Sequence, residues 1–421
     1  MPGARPILRA ALAIAVALVC FLALLAPAGA HAAGGVYVAL GDSYTSGPLV
    51  PTQHGDPIDC ARSDRNYPSL VAGAFRPGTF VDVSCASAQT KHMTEPQTEL
   101  SAGGTNPPQF NGLRRDATLV TVGIGGNDVG LVGVATRCAQ LGAVAPTGRA
   151  CRNFYAPGGK DKVAAKIDAT KPKIAGVLRG IHRRSPTARV AIVGYPDVLP
   201  KSGSCYPMVP LSPDDIRYID ELLRRINAMI AGQAAANDAE FVDTYADSGG
   251  HDVCKLPPTR WFEGLAPTEP AFPLHPNAKG EASMARSAIE LLNRPRPKPR
   301  LSRLRVTPRR VRAGRRARVS YGLDRAAPVI MRVRRVTGGR RVGNRCVRPR
   351  RGLATRRPCR RLSRVVLRVK TTGRAGPNSF RRTTRRLGRR RGLYRLTATP
   401  TLYGATGRSR SASYRVLRRR R

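Results

Sequence analysis

Val36-Tyr37-Val38-Ala39-Leu40-Gly41-Asp42-Ser43-Tyr44-Thr45-Ser46-Gly47 is the stretch whose reading decides the fold. A short β-branched and apolar run stops at Gly-Asp-Ser and gives way to small and polar residues. A buried parallel strand has this form, because helices cover both of its faces. Such a strand delivers Ser43 to the carboxyl edge of a sheet, where open α/β folds place their ligands. Gly-Asp-Ser is also an ordinary turn signal, and Asp or Ser there can cap a helix. Taken alone, the tripeptide leaves Ser43 as either a nucleophile or a turn residue.

Outward from that stretch, strand and helix patterns alternate. Residues 80–84, 117–124, 189–194 and 240–243 read as further strands, and 67–74 as a short helix. Residues 162–182 have helical spacing interrupted by Pro172, which predicts a kink or a fresh helix start. Ser212-Pro213-Asp214-Asp215 combines a cap, a first-turn proline and first-turn acids, predicting a helix to about residue 236. A last helix is predicted over 278–292. This alternation predicts one α/β domain with a parallel sheet over residues 33–293. Gly41-Asp42-Ser43, Ala86-Ser87 and Gly125-Gly126-Asn127-Asp128 then fall at strand ends on one edge of that sheet.

Charge divides the chain. Residues 294–421 hold 45 Arg or Lys against one acid, 45 − 1 = +44, while residues 1–293 hold 28 against 25, 28 − 25 = +3. Arg294-Pro295-Arg296-Pro297-Lys298-Pro299-Arg300 is an extended, semi-rigid linker by composition. Residues 301–421 change to short segments of period-2 alternation, predicting a small β-sandwich with Arg outward and Val, Leu or Tyr inward. At the other end, Arg5 and Arg9 precede an apolar run from residue 10 to 26. Ala28-Gly29-Ala30-His31-Ala32 follows, so residues 1–32 read as a secretory leader, with an uncleaved anchor as the alternative.

Without Cys20 the chain keeps Cys60, Cys85, Cys138, Cys151, Cys205, Cys254, Cys346 and Cys359. An even count in an exported chain favours disulfides, and the absence of C-x-x-C spacing argues against a zinc site. The connectivity is formally open; sequential pairing is the expectation, with three pairs in the α/β domain and one in the basic part. No metal and no cofactor is expected.

Hydrolysis through a serine needs a base for its proton, a group that orients the base, and donors for the oxyanion. Ser43 is the candidate nucleophile. His275, in Pro273-Leu274-His275-Pro276-Asn277, is the candidate base, with His251 its nearest rival. Asn127 can donate its amide to an oxyanion or simply cap a helix. Asp42 and Asp128 read as turn and cap residues. The G-x-S-x-G elbow is absent around Ser43, which argues against the α/β-hydrolase arrangement.

Gly41-Asp42-Ser43, Gly125-Gly126-Asn127-Asp128 and His275-Pro276-Asn277 resemble, in order and spacing, the blocks of the SGNH (GDSL-type) hydrolases. The three cysteine pairs resemble the secreted actinobacterial lipase/esterase branch. The resemblance covers about residues 35–293 and implies a flavodoxin-like three-layer α/β/α fold. It implies Ser43 as nucleophile, His275 as base, and an oxyanion hole from Ser43, Ser87 and Asn127. Ser87 stands where the family usually has glycine, and Phe272 where it usually has the acid of the triad. The resemblance then allows a Ser–His dyad oriented by the Phe272 main-chain carbonyl, with Glu269, Glu263 and Asp252 as alternative supports. The expected activity is a secreted serine esterase or lipase. Its rivals are a carbohydrate O-deacetylase and a catalytically weak envelope-binding protein.

The basic part resembles small Ig-like modules of secreted actinobacterial proteins through Cys346, Cys359 and Gly376-Pro377-Asn378-Ser379. All but two of its basic residues are Arg, suited to bidentate contact with phosphate or carboxylate. Anionic envelope polymers or lipid head groups are the expected partners, against a merely solvated face. Nucleic acid is least favoured, because few aromatics punctuate the Arg runs. A monomer is expected.

Overall fold

A computed structural model describes residues 35–296, 298–325, 327–383, 391–402 and 405–418. The expected leader, residues 1–32, lies outside the described residues, as does Pro297 of the expected linker.

Five parallel strands form the first sheet: β1 (Val36–Gly41), β2 (Thr79–Asp82), β3 (Ala117–Gly123), β4 (Arg189–Val193) and β5 (Glu240–Val242). Their order is β2-β1-β3-β4-β5, the doubly wound flavodoxin-like arrangement. Side-chain parity along β1 shows why both faces are covered. Val38 and Leu40 join one apolar cluster, and Tyr37 and Ala39 join the other. The first cluster includes α3 (Lys162–Arg184) and α4 (Pro213–Ala236), preceded in the chain by α2 (Leu131–Val144). On the opposite face lie α1 (Tyr67–Phe75) and α5 (Ala278–Asn293).

The helix starts follow their caps. The Asn66, Ser212 and Asn277 side chains accept first-turn N–H groups of α1, α4 and α5. Of the kink or fresh start expected at Pro172, the fresh start does not occur: α3 is one element through it. Pro172 is exposed, so the carbonyl it leaves without a partner faces water, which satisfies it.

The strand order reverses between β1 and β3, and open α/β sheets bind ligands outside the carboxyl ends at such a point. The register pairs Leu40 with Val122 and Gly41 with Gly123, so the chain leaves both strands side by side.

The second part is all β. One sheet holds β6 (Leu301–Thr307), β8 (Arg316–Leu323) and β12 (Gly376–Thr383), with β8 central. The other holds β7 (Arg310–Arg312), β9 (Ala327–Val342), β10 (Arg345–Val347), β11 (Pro358–Gly373), β13 (Gly392–Leu402) and β14 (Arg410–Leu417), together with a short strand after β13. Inward residues of both sheets, among them Val306, Val319, Tyr321, Val329, Met331, Leu396 and Tyr414, share one core. Sandwich strands alternate in this way because each sheet has one dry face.

Four disulfides join Cys60–Cys85, Cys138–Cys151, Cys205–Cys254 and Cys346–Cys359, a sequential pairing. Among the described residues no helix is long and apolar enough to cross a membrane.

Candidate active site

Ser43 opens a single helical turn, Ser43–Ser46, directly after β1. Asp42 caps this turn by accepting the Tyr44 N–H at 3.0 Å, and its own N–H donates to Gly123 O at 2.9 Å. Gly41 is required here by space. A Cβ would stand 2.1 Å from Thr45 Oγ1 and 2.6 Å from the Gly123 carbonyl. The Gln109 side chain brackets the same residue, accepting the Gly41 N–H at 2.8 Å and donating to its carbonyl at 2.9 Å. The sharp exit that aims Ser43 is thus held from the neighbouring strand and from a loop.

His275 reaches Ser43 from the segment before α5. Its Nε2 lies 2.7 Å from Ser43 Oγ, and its Nδ1 lies 2.8 Å from the Pro273 carbonyl. A carbonyl can only accept, so Nδ1 carries the proton and Nε2 presents a lone pair to the serine hydroxyl. The orienting carbonyl therefore belongs to Pro273 rather than Phe272. The Phe272 carbonyl accepts the main-chain N–H of His275 at 3.1 Å instead. Leu274, between them, has φ +63°, and this left-handed residue curls the chain so that Pro273 O faces the ring.

The imidazole is walled in. Tyr44 tilts over it at 4.9 Å, Phe272 meets it edge-on at 5.3 Å, and His275 is only 2 % exposed. Tyr44 Oη donates to Leu274 O at 2.7 Å, and Phe272 N donates to Pro48 O at 3.0 Å, tying the histidine segment to the serine segment. Burial lowers the His275 pKa to about 4, opposed by the Pro273 hydrogen bond, which raises it. The three acids considered as supports are engaged elsewhere. Glu269 pairs with Lys279, Glu263 holds Asn277 and the Thr268 N–H, and Asp252 caps Cys254. His251 stacks on Trp261 and takes no part.

Asn127 sits in the turn after β3 and lines the same cavity as Ser43. One N–H of its amide donates to Ala88 O at 3.0 Å, which fixes the amide plane and leaves the second N–H directed elsewhere. Asp128 accepts Thr90 N–H and Oγ1 at 2.8 and 2.6 Å, sewing the 85–90 loop to the β3 exit. Ser87, in that loop, has φ +62° and is exposed. The position asks for left-handed backbone, which glycine adopts freely and serine adopts here at a cost.

Sequence reasoning missed Tyr195, at the end of β4. Its hydroxyl donates to Asp42 Oδ2 at 2.6 Å and accepts the Gly126 N–H at 2.6 Å, linking the serine turn to the Asn127 turn. Burial pushes Asp42 up to about 7, while the Tyr195 and Tyr44 hydrogen bonds pull it down. Gly126 has no room for a Cβ, which would stand 2.8 Å from Tyr195 Oη. The only local signal was Gly194-Tyr195-Pro196 at a fourth strand end.

Behind Ser43 opens a narrow cavity. Leu131, Val132, Ala135 and Ala139 of α2, Ile219 and Leu223 of α4, and Val198, Leu199, Val209, Leu211, Val253, Leu265 and Leu274 make it apolar. Its polar groups, Asp42, Ser43, Asn127 and Tyr195, gather at one place. Ligand pockets commonly combine an apolar body with a few converging polar groups that fix the ligand's orientation.

The GDSL-like Lipase/Acylhydrolase family profile matches residues 39–282. The chain is 35% identical over 299 residues to Lipase 2 of Streptomyces coelicolor A3(2), covering 68% of this chain and 98% of that one. Among solved structures, a phospholipase A1 from Streptomyces albidoflavus NA297 matches with a TM-score of 0.51 at 27% identity, over 62% of this chain and 99% of that one. An extracellular lipase from Streptomyces rimosus matches with a TM-score of 0.50, also at 27% identity and over the same shares.

Proposed function

The chain belongs to the GDSL-like lipase/acylhydrolase family, and from that premise we propose that it is a secreted hydrolase of long-chain carboxylic esters that works through an acyl-enzyme on Ser43. Nε2 of His275 takes the Ser43 proton as Oγ attacks the ester carbonyl. The Ser43–carbon bond forms, the carbonyl π-bond becomes an oxyanion, and the Nε2 proton then passes to the departing alkoxide. Water, deprotonated by the same nitrogen, attacks the acyl-enzyme and returns Ser43.

Three donors serve the oxyanion: the free N–H of the Asn127 amide, the Ser43 N–H and the Ser87 N–H. The Ser43 N–H begins its helical turn, where no preceding carbonyl can reach it. Pro273 O fixes the tautomer by accepting the Nδ1 proton, which leaves the Nε2 lone pair on Ser43. Residues 1–32 would serve as the leader.

The observation that carries the long-chain reading is the apolar cavity opening at Ser43. Its body has no side chains to meet sugar hydroxyls, which favours this reading over the deacetylase. A panel of butyryl, octanoyl and lauroyl aryl esters tests it. The wild type should favour the longer chains, and Ser43→Ala should lower kcat/KM by about 10⁴-fold or more. Ala135→Trp, filling the cavity from α2, should depress lauroyl turnover about tenfold relative to butyryl. Turnover surviving Ser43→Ala would refute the site, and a chain-length preference unmoved by Ala135→Trp would refute the pocket.

A further inference from the structure

The outer face of the three-stranded sheet carries a groove that ester hydrolysis leaves unused. Its floor is β8, where Arg316, Arg318 and Ser320 alternate with the inward Ala317 and Val319. β6 adds Arg305 and Thr307, and β12 adds Ser379 and Arg381, to the lining of this one depression. The register sets them in rows. Arg318 lies between Thr307 and Arg381, and Ser320 lies between Arg305 and Ser379. Neighbouring strands are about 4.8 Å apart and successive rows about 6.8 Å. Four guanidinium groups therefore share one small face.

Nothing in the module neutralises them. Its sole acid, Asp324, accepts the Arg300 N–H at 2.8 Å and pairs with Arg325. Among the described residues none of the four arginines has a salt bridge. Like charges directly opposite each other destabilise an antiparallel pair, and Arg318 faces Arg381 in this way. An anion lying between them would convert that repulsion into shared bidentate contact.

We propose that this groove binds a linear polyol-phosphate polymer, with phosphates on the guanidinium groups and chain hydroxyls on Thr307, Ser320 and Ser379. Two competing ligands fit the lining less well. No aromatic side chain lines the groove, whereas single-stranded nucleic acid is held by stacking its bases on aromatics; Phe380 packs inward against the core. A bilayer surface is flat and rewards exposed apolar side chains that insert, while this lining is concave and made of Arg, hydroxyl and amide groups with two prolines and an alanine. The proposal is independent of the ester-hydrolysis reading.

The test uses the full-length protein and synthetic poly(glycerol phosphate), with binding measured by calorimetry at low and at physiological salt. The triple variant Arg305→Gln, Arg318→Gln, Arg381→Gln is compared with Arg348→Gln, Arg350→Gln, Arg351→Gln, which removes equal charge from exposed positions outside the groove. The groove variant should bind about 30-fold more weakly, with a salt slope shallower by about 2, and the control should lose about threefold or less. A melting temperature no lower than that of the wild type and unchanged ester turnover in both variants tie the loss to the removed side chains. Equal losses in the two variants, or no binding by the wild type, would overturn the site. Tighter groove-dependent binding of phosphatidylglycerol vesicles or of oligothymidylate would overturn the ligand class.

Discussion

Charge is handled in opposite ways by the two halves of the molecule. In the α/β domain Arg189 is 2 % exposed, and its guanidinium is fully spoken for. Nε and Nη2 meet the Glu240 carboxylate at 2.5 and 2.8 Å, and Nη1 and Nη2 donate to Leu292 O and Leu291 O at 2.6 and 3.0 Å. One side chain thereby joins β4, β5 and the end of α5. In the β module many arginines occupy outward positions of a strand's alternation, such as Arg316 and Arg318 along β8. The first kind of position is set by partners, the second by strand parity alone. The first half can therefore sit near neutrality while the second carries +44.

The largest break of that contrast is Arg189→Met. Removing one partner of a buried pair strands the other, so unfolding in denaturant should show a loss of about 3–5 kcal/mol. A loss under about 1 kcal/mol would place Arg189 with the solvated arginines of the module and remove the contrast.

His275 is a third case, a buried ionisable group with no counter-charge at all. Burial lowers its pKa to about 4, so the neutral, basic form survives well below the ordinary histidine range near 6.5. In the pH profile of kcat/KM the acid limb should fall near pH 4, with turnover at pH 5 close to its plateau. A limb near 6.5 would show that a carboxylate or water reaches the ring and compensates its burial. Tyr195→Phe should act more gently. It leaves Asp42 and the Gly126 N–H without their shared partner, and kcat/KM should drop about tenfold while KM stays nearly constant. If only the melting temperature moved, Tyr195 would be a packing residue and not a positioning one.

What the sequence made legible follows the same division between local and distant causes. The alternation of strands and helices, the cap of α4, and the strand-end turns at Ser43 and Asn127 are written in short stretches, where turn chemistry and side-chain parity act within a few residues. His275 was legible for the same reason, since it stands between two prolines just before the last predicted helix. Gln109 and Tyr195 were not, because each acts on a glycine or acid 68 to 153 residues away and carries no local pattern of its own. The carbonyl that orients His275 was misplaced by one residue. The left-handed turn at Leu274 decides it, and leucine gives no sign of such a conformation. Pro172 does not restart the helix, since its exposure, a tertiary property, lets α3 continue.

The smallest test lies in the module and turns on sign rather than size. If the outward arginines are placed by parity alone, most substitutions among them should leave stability within about 0.5 kcal/mol. Arg318→Thr should differ, because Arg318 stands directly opposite Arg381 and the module's one acid pairs with Arg325. Removing a like-charge pair on an antiparallel sheet relieves roughly 0.2–1 kcal/mol, and threonine favours a strand. The melting temperature of the module should therefore rise slightly at low salt, and the gain should shrink as salt screens the repulsion. Added poly(glycerol phosphate) should reverse the order of wild type and variant, since the ligand stabilises only the protein that still binds it. A variant less stable than the wild type at every salt concentration would mean that the long Arg318 stem packs on its neighbours. Arginine in this module would then be a structural side chain, as it is in the α/β domain.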